Sequence, residues 1–333
     1  MRGLTFERVE VPSYPLFHEP QYVLALTNKL VQVARDRQLD ILHAHYAVPH
    51  ATAAYLARQV LMTTIGDRAP KTVTTLHGTD ITVVGSDPSF AGIVAFSIEQ
   101  SQGVTTVSES LRQDTIRTLG IKRDVRVIHN FLDCERYKRT PDAGLRAKLL
   151  KNADAIVMHV SNFRPVKRVD RVLDTFVRIR ECVNARLVMV GNGPDRPALE
   201  RSVQNQGLFD VVDFICERHD LVALLSSADL FLLPSAQESF GMAAMEAMAC
   251  GTPVVAARVG GVSEVIDDGE TGFLCDEDDT EGMAERGIEL LTDRALHERM
   301  AAAGAVVVRT KFCEDIIVPE YLEFYRGVIE GPG

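Results

Sequence analysis

Two carboxylates eight positions apart, Glu238 and Glu246, mark the segment whose residue types best suit chemistry. Glu238 comes just before a predicted helix at 241–250, and Glu246 lies inside that helix. A helix start presents free backbone N–H groups and the positive end of its dipole, which favour a phosphate or diphosphate. Because an ionised carboxylate only accepts hydrogen bonds, each acid can hold a pair of sugar hydroxyls. The pattern therefore favours a phosphorylated sugar as ligand.

A purely structural interpretation competes with this one. In an arbitrary helix, Glu238 would be a capping acid and Glu246 a solvated residue. Here, however, Glu246 is surrounded in sequence by alanines and methionines. A carboxylate among apolar residues needs a partner, so its position favours the ligand-binding interpretation.

Cations and glycines follow two other predicted strands of the same half. Arg164 and Lys167 lie where a strand ends and a helix begins. Positive charge opposes the helix dipole at that end, whereas it suits a bound diphosphate. The turn Gly191-Asn-Gly193 permits close approach of backbone to a ligand, although such turns often only reverse the chain.

Histidines follow two predicted strands of the first half, in His43-Ala-His45-Tyr46 and in Leu76-His77-Gly78-Thr79-Asp80. His43 and His45 share a strand face, but no cysteine or nearby acid completes a ligand set, so no metal is expected. For His43 and His50, hydrogen bonding within a packed strand end remains the alternative.

Apolar runs that alternate with amphipathic stretches predict repeated βαβ units. In the first half the predicted strands are 4–11, 40–45, 71–76, 103–107 and 125–128, with helices at 21–37, 51–62, 89–100 and 109–119. In the second half the strands are 155–160, 186–190, 211–215, 230–233 and 253–257, with helices at 168–183, 197–206, 221–227 and 241–250. Only helices are expected from 280 to 329.

A polar segment at 133–152, predicted to lack regular structure, separates the halves. We expect an α/β chain with an N-terminal domain at 1–140, a second domain at 150–310 and a helix at 311–333 that packs back on the first. Two doubly wound parallel sheets would face each other across a cleft. Ligands of such sheets bind beyond the carboxyl ends of the strands.

Composition excludes several classes. The 333 residues suggest about two domains. A formal charge of −10 disfavours nucleic acid as a partner. No apolar run reaches the ~18 residues of a membrane span, and no signal peptide is evident, so a cytoplasmic protein is expected. The six cysteines are never closer than 25 residues, which indicates reduced thiols.

The combination of Glu238-x7-Glu246, Gly260-Gly261-Val-Ser-Glu264 and Gly269-Glu-Thr-Gly272 resembles family 4 retaining glycosyltransferases. The resemblance implies the two-domain GT-B fold, with acceptor binding on the first domain and a nucleotide-sugar donor on the second. It also implies that no metal or other cofactor is required. A nucleotide-sugar donor is then a substrate.

The resemblance also implies a role for individual residues. The catalytic group comprises His77, Lys167 and Glu238. The donor-binding group comprises Asn162, Arg164, Lys167, Gly191, Glu238, Phe240, Gly241, Met242 and Glu246, and the acceptor-binding group Tyr46, His77 and Thr79. The family usually has an arginine where Asn162 stands, and Arg164 is a shifted replacement. The loop at 216–220 would meet a uracil.

His-Ala-His-Tyr-Ala-Val-Pro-His-Ala and Thr-Thr-Leu-His-Gly-Thr-Asp-Ile-Thr resemble a narrower group within that family. Its members transfer N-acetylglucosamine from UDP-N-acetylglucosamine to L-malate, the first step of bacillithiol biosynthesis. Members begin with a strand and glycine-rich loop that is not evident here, and carry an arginine where this chain has Ala95. The alternatives are another UDP-sugar or acceptor, or an inactive protein that binds a nucleotide-sugar and lacks the first βα unit. A homo-oligomer is left open.

Overall fold

The computed structural model describes residues 4–11, 21–216 and 221–331. These residues form two compact units. One unit comprises the chain up to Ile128 together with the chain from Pro319 onward, and the other runs from His129 to Val318. Each unit contains one parallel sheet with helices packed on it.

The sheet of the first unit has four parallel strands in the order β1-β2-β3-β4. The strands are β1 (Ile41–His45), β2 (Lys71–Leu76), β3 (Gly103–Thr106) and β4 (Arg126–Val127). The helices are α1 (Tyr22–Arg37), α2 (Thr52–Ile65), α3 (Pro88–Glu99) and α4 (Glu109–Leu119), with short helical turns at Ala47–Ala51, Gly66–Arg68 and Asp80–Val84. Both longer turns directly follow a strand, at the edge where ligands of parallel sheets bind.

Local sequence sets the ends of these helices. In α4 the Ser108 hydroxyl accepts a hydrogen bond from the Leu111 N–H at 3.1 Å, and Gly120 ends the helix in a left-handed conformation. Burial then fixes one face of the sheet, because Leu42 packs with Leu61 in a core shared by β1 and α2.

The second unit contains six parallel strands in the order β10-β9-β8-β5-β6-β7. The strands are β5 (Ala155–Ser161), β6 (Ala185–Gly191), β7 (Val212–Ile215), β8 (Leu230–Leu233), β9 (Val254–Ala257) and β10 (Phe273–Cys275). The helices are α5 (Ala143–Leu150), α6 (Val169–Arg180), α7 (Arg196–Asn205), α8 (Leu221–Ser227), α9 (Met242–Ala249), α10 (Val262–Val265), α11 (Thr280–Thr292), α12 (Arg294–Lys311) and α13 (Glu314–Glu330), the last continuing into the first unit. A short helical turn, Pro165–Lys167, precedes α6.

The strand order of the second unit places its functional edge. The order reverses between β5 and β8, as in dinucleotide-binding sheets, and a crevice opens beyond the carboxyl ends of the strands at such a point. Behind it, Val157, Leu232 and Phe176 are fully buried in one core. The core therefore holds the ends of β5 and β8 as fixed supports for the loops that follow them.

The strand predicted at 4–11 is wrong, since these residues form no regular element. Leu4 and Phe6 are 74% and 90% exposed, and Glu7 pairs with Lys29 of α1 at 2.8 Å. Within the described residues the sheet ends at β1, so the apolar alternation of this segment has no neighbouring strand to pair with.

The segment predicted to lack regular structure, 133–152, contains α5 instead. The Asp142 carboxylate accepts a hydrogen bond from the Leu145 N–H at 2.9 Å and starts the helix. Only Leu149 is buried in α5, so the sequence carried almost no helical periodicity. The sequence prediction also omitted β10 and α10, which have three and four residues.

The expectation of reduced thiols throughout is wrong for one pair of cysteines. Cys134 and Cys313 form a disulfide with their Cα atoms 5.6 Å apart. Two backbone hydrogen bonds bring the segments together, from the Leu132 N–H to the Phe312 carbonyl and from the Glu314 N–H to the Leu132 carbonyl. A pair separated by 179 residues leaves no spacing signal in the sequence.

Hydropathy of the helices bears on membrane insertion. In the described part of the chain, none of the helices combines the length and apolar character that crossing a bilayer requires.

Candidate active site

A cation and a carboxylate meet where the strand order of the second unit reverses. Lys167 ends the helical turn after β5, and its Nζ donates a hydrogen bond to Glu238 Oε1 at 2.6 Å. Ser235, just after β8, donates from its hydroxyl to the same oxygen at 2.8 Å. The Glu238 side chain is only 11% exposed, and the Lys167 side chain 22%. The two predicted catalytic residues of this unit thus form a sheltered ion pair at the carboxyl ends of β5 and β8.

Backbone contacts fix the position of Glu238. Its carbonyl accepts a hydrogen bond from the Gly261 N–H at 3.0 Å. A Cβ atom on Gly260 would lie 1.9 Å from the same carbonyl oxygen, so no side chain fits there. The Ala236 N–H donates to the Val166 carbonyl at 2.9 Å and ties the loop after β8 to the turn that carries Lys167.

The helix after Glu238 begins without a side-chain cap. Gly241 precedes α9 with φ +99°, and its own position supplies no side chain that could accept from the first N–H groups of the helix. Glu238 bonds to Lys167 and Ser235 instead, so the capping interpretation of this acid is wrong. The start of α9 can therefore serve an anion. The Phe240 ring is buried and packs against His129 and Phe312, with centroids 5.5 Å away in each case.

Glu246 has a different partner. The Tyr137 hydroxyl interacts with its carboxylate and favours the ionised form, and Arg136 adds nearby positive charge. Burial raises the pKa of Glu246, and both contacts oppose that shift. Burial and this carboxylate together raise the pKa of Tyr137 to about 12. The partner expected for an acid in this apolar run is thus Tyr137, a residue that no sequence pattern singles out.

The loops after β5 and β6 lie in direct contact. A Cβ atom on Gly191 would lie 1.9 Å from the Ser161 carbonyl oxygen, and one on Gly193 1.9 Å from that of Asn162. Gly191 also has φ +127°, which favours glycine. Asn162 and Arg164, both predicted to bind the donor, are exposed on this loop. The loop predicted to meet a uracil, 216–220, lies mostly outside the described residues, with Cys216 exposed at its start.

A chain of hydrogen bonds through His159 links β8 to the loop after β5. His159 is fully buried, and its Nδ1 donates to the Leu232 carbonyl of β8 at 2.9 Å. Its Nε2 therefore accepts from the Ser161 hydroxyl at 2.8 Å, and Ser161 Oγ accepts from the Phe163 N–H at 3.2 Å. Burial lowers the pKa of His159 to about 4, so the ring is neutral at pH 7.

In the first unit, the ends of β1 and β2 bring a second group of predicted residues together. His45 Nδ1 and His77 Nε2 share a hydrogen bond of 2.7 Å, and the Tyr46 ring centroid lies 5.0 Å from that of His77. Burial first and the neighbouring His45 second lower the pKa of His77 to about 4. Thr79 is exposed two residues after His77. Tyr46 and His77 are thus adjacent, and His77 is neutral at pH 7.

The other two histidines of this group are engaged locally. His43 bonds to the Tyr325 hydroxyl at 2.6 Å and to the Thr75 hydroxyl at 2.8 Å, and His50 Nδ1 donates to the His45 carbonyl at 2.7 Å. The interpretation as a packed strand-end residue is confirmed for His43, whereas His50 lies in the helical turn after β1 and bonds back to the strand end from there. Across residues 4–11, 21–216 and 221–331, His, Cys, Asp and Glu side chains form no group of three arranged for a metal ion.

Known families match both units of the chain. The family described as Glycosyltransferase Family 4 matches residues 2–136, and that described as Glycosyl transferases group 1 matches residues 143–306. N-acetyl-alpha-D-glucosaminyl L-malate synthase of Bacillus anthracis is 43% identical over 328 residues, which cover 98% of this chain and 85% of that protein.

Solved structures show the same fold at low identity. Sucrose-phosphate synthase from Thermosynechococcus elongatus is 23% identical, with a TM-score of 0.78 over 97% of this chain and 83% of its own. Anabaena HepE in complex with UDP and glucose is 22% identical, with a TM-score of 0.75 over 89% of this chain and 80% of its own.

Proposed function

Because the chain belongs to glycosyltransferase family 4, we propose that it transfers N-acetylglucosamine from UDP-N-acetylglucosamine to the hydroxyl of L-malate, with retention of the α configuration. The proposal includes its place as the first step of bacillithiol biosynthesis and a cytoplasmic location. The near-full-length likeness to the Bacillus anthracis synthase is the observation that carries the choice of substrates.

We assign donor binding to the second unit. Lys167 would contact the diphosphate, helped by Arg164, Asn162 and the N–H groups at the start of α9. Glu246 would hold the ribose diol. The diol would either displace the Tyr137 hydroxyl from this carboxylate or bind beside it. The remaining donor contacts would come from the backbone of Gly191, Phe240, Gly241 and Met242. The ion pair and the uncapped helix start support this assignment, because both lie at the point where such sheets bind nucleotides.

Glu238 has the geometry to hold the transferred sugar and Lys167 together. The hydrogen bonds that Lys167 and Ser235 donate to its carboxylate both go to Oε1, which leaves Oε2 for a sugar hydroxyl. As the glycosidic bond breaks, negative charge grows on the leaving diphosphate. A fixed ammonium group and helix N–H groups stabilise that charge most in the transition state, which accelerates the step.

We assign acceptor binding to the first unit, with Tyr46, His77 and Thr79. A neutral His77 acts by donating or accepting a hydrogen bond, since its pKa of about 4 keeps it uncharged at pH 7. In the proposed step the malate hydroxyl attacks the face from which the phosphate leaves, and its proton passes to a leaving-group oxygen. The reaction is proposed to need no metal, so activity should survive treatment with EDTA.

The test is release of UDP by purified protein from UDP-N-acetylglucosamine, with and without L-malate. We expect release that depends on malate, with a product whose anomeric proton has the small coupling constant of an α-glycoside. Release with other acceptors or donors but not with this pair would contradict the substrates. Absence of release with any pair would contradict the activity.

A further inference from the structure

Asp80 is a buried acid that the proposed reaction does not use directly. It lies three residues after His77, in the helical turn that follows β2, and it is only 2% exposed. An ionised carboxylate is strongly disfavoured in such surroundings unless several donors reach it. Burial raises the pKa of Asp80, and hydrogen bonds from backbone N–H groups oppose that shift.

The donors to Asp80 come from two different loops. Its Oδ1 accepts from the N–H groups of His77 at 3.2 Å and Gly78 at 3.0 Å, in the loop after β2. Its Oδ2 accepts from the Ala47 N–H at 3.0 Å, in the loop after β1. One carboxylate therefore joins the backbone next to Tyr46 to the backbone of His77.

The backbone of Tyr46 shows why a link between the two loops, here called the Asp80 clamp, is needed. Tyr46 has φ +74° and ψ 140°, a conformation that residues with a side chain rarely adopt. It persists only where its surroundings hold it. The Tyr46 N–H donates to the Thr75 carbonyl at 3.0 Å, and the N–H of the next residue, Ala47, donates to the Asp80 carboxylate. Asp80 therefore holds one side of this strained residue.

We propose that Asp80 is a positioning residue that holds Tyr46 and His77 in the arrangement that receives the acceptor. The proposal deepens the proposed function and rests on it for the identity of the acceptor. Asp80 itself touches backbone N–H groups, so its effect on the reaction passes through the two loops.

Asp80→Asn removes one of the two links selectively. The amide has one oxygen, which can keep the two bonds from His77 and Gly78. Its NH2 group then faces the Ala47 N–H, and two donors oppose each other. Asp87→Asn is the matched control, because the Asp87 carboxylate accepts a hydrogen bond from the backbone N–H of Ser89 at the exposed start of α3.

The experiment combines amide hydrogen exchange with kinetics. In the Asp80→Asn protein, we expect faster exchange at the Ala47 N–H and a fall of about tenfold or more in kcat/KM for L-malate. The affinity for UDP should stay within about twofold, since none of the residues proposed to contact the UDP-sugar is changed. The Asp87→Asn protein should match the wild type in all three measurements.

Several results would overturn the proposal. They are unchanged exchange at Ala47, unchanged kcat/KM for malate, or an equal loss of UDP affinity, which would indicate general damage. If Asp80→Asn does not fold, amide hydrogen exchange at Ala47 is measured in the wild type instead. Rapid exchange there contradicts the proposed link between the two loops. A wild type without malate-dependent UDP release refutes the proposed function, whereas exchange at Ala47 still tests the contact.

Discussion

Replacement of Gly260 by alanine gives a sharp test of how Glu238 is held. The added Cβ would lie 1.9 Å from the Glu238 carbonyl oxygen, and such contacts below 3.0 Å are essentially never found. The two groups must therefore separate by about 1 Å. A displacement of about 1 Å in a positioning element can lower a rate about 100-fold. Overpacking of this kind also destabilises a fold by about 1–3 kcal/mol.

Gly207 provides the matched control. It follows α7 with φ +68°, close to the φ of +50° at Gly260, but nothing lies within 4 Å of its added Cβ. Both alanines therefore carry a similar backbone penalty of about 1 kcal/mol, and only Gly260→Ala adds the collision.

The assay is malate-dependent release of UDP, with thermal unfolding measured in parallel. We expect Gly260→Ala to lose about 100-fold in kcat/KM and Gly207→Ala to lose only stability. Wild-type turnover by Gly260→Ala, or an equal loss in both proteins, would refute the reasoning that the Gly260 contact positions Glu238.

Three further outcomes follow from contacts in the second unit. Glu246→Ala should weaken UDP binding in calorimetry, whereas Glu238→Ala should mainly lower kcat, and unchanged constants in both would contradict the donor assignment. The unfolded chain protonates at His159 from about pH 6.5, but the folded chain only near pH 4. His159 alone should therefore account for a loss of up to about 3 kcal/mol in urea unfolding as the pH falls through this range, and His159→Gln should lose that share of the pH dependence. Cys134→Ser should lower stability by about 2–4 kcal/mol, and a reductant should destabilise the wild type alone.

Much of the architecture follows from hydrophobic patterning. The apolar run Leu230–Leu233 is a fully buried strand, as predicted, because strands covered on both faces need no polar alternation. Helix α4 was predictable to the residue, because Ser108 and Gly120 mark its ends. Prediction from sequence succeeded where a local pattern, such as an apolar run or a pair of helix-end residues, was sufficient to specify the element.

Prediction failed where long-range contacts decide. The Cys134–Cys313 disulfide depends on segments far apart in sequence, and so does the interaction of Tyr137 with Glu246. Apolar alternation at 4–11 has no partner strand within the described residues, so it did not become a strand.

The candidate site was predictable only in part. Sequence patterns placed Glu238 and Lys167 at strand ends, and the structure joins them at 2.6 Å. Asp80 stands in a motif that drew attention through its histidine, but nothing in one sequence shows that three backbone N–H groups converge on it. Such contacts depend on how two loops meet.

The most direct test of donor binding at the Lys167–Glu238 pair is calorimetric titration of UDP into the wild type and Lys167→Met. Loss of a charged hydrogen bond to phosphate should weaken binding by about 10- to 100-fold. Lys151→Met is the control, since Lys151 pairs with Asp213 at 3.1 Å on an exposed surface, and its affinity should match the wild type. Equal affinity in the wild type and Lys167→Met would contradict the placement of the diphosphate.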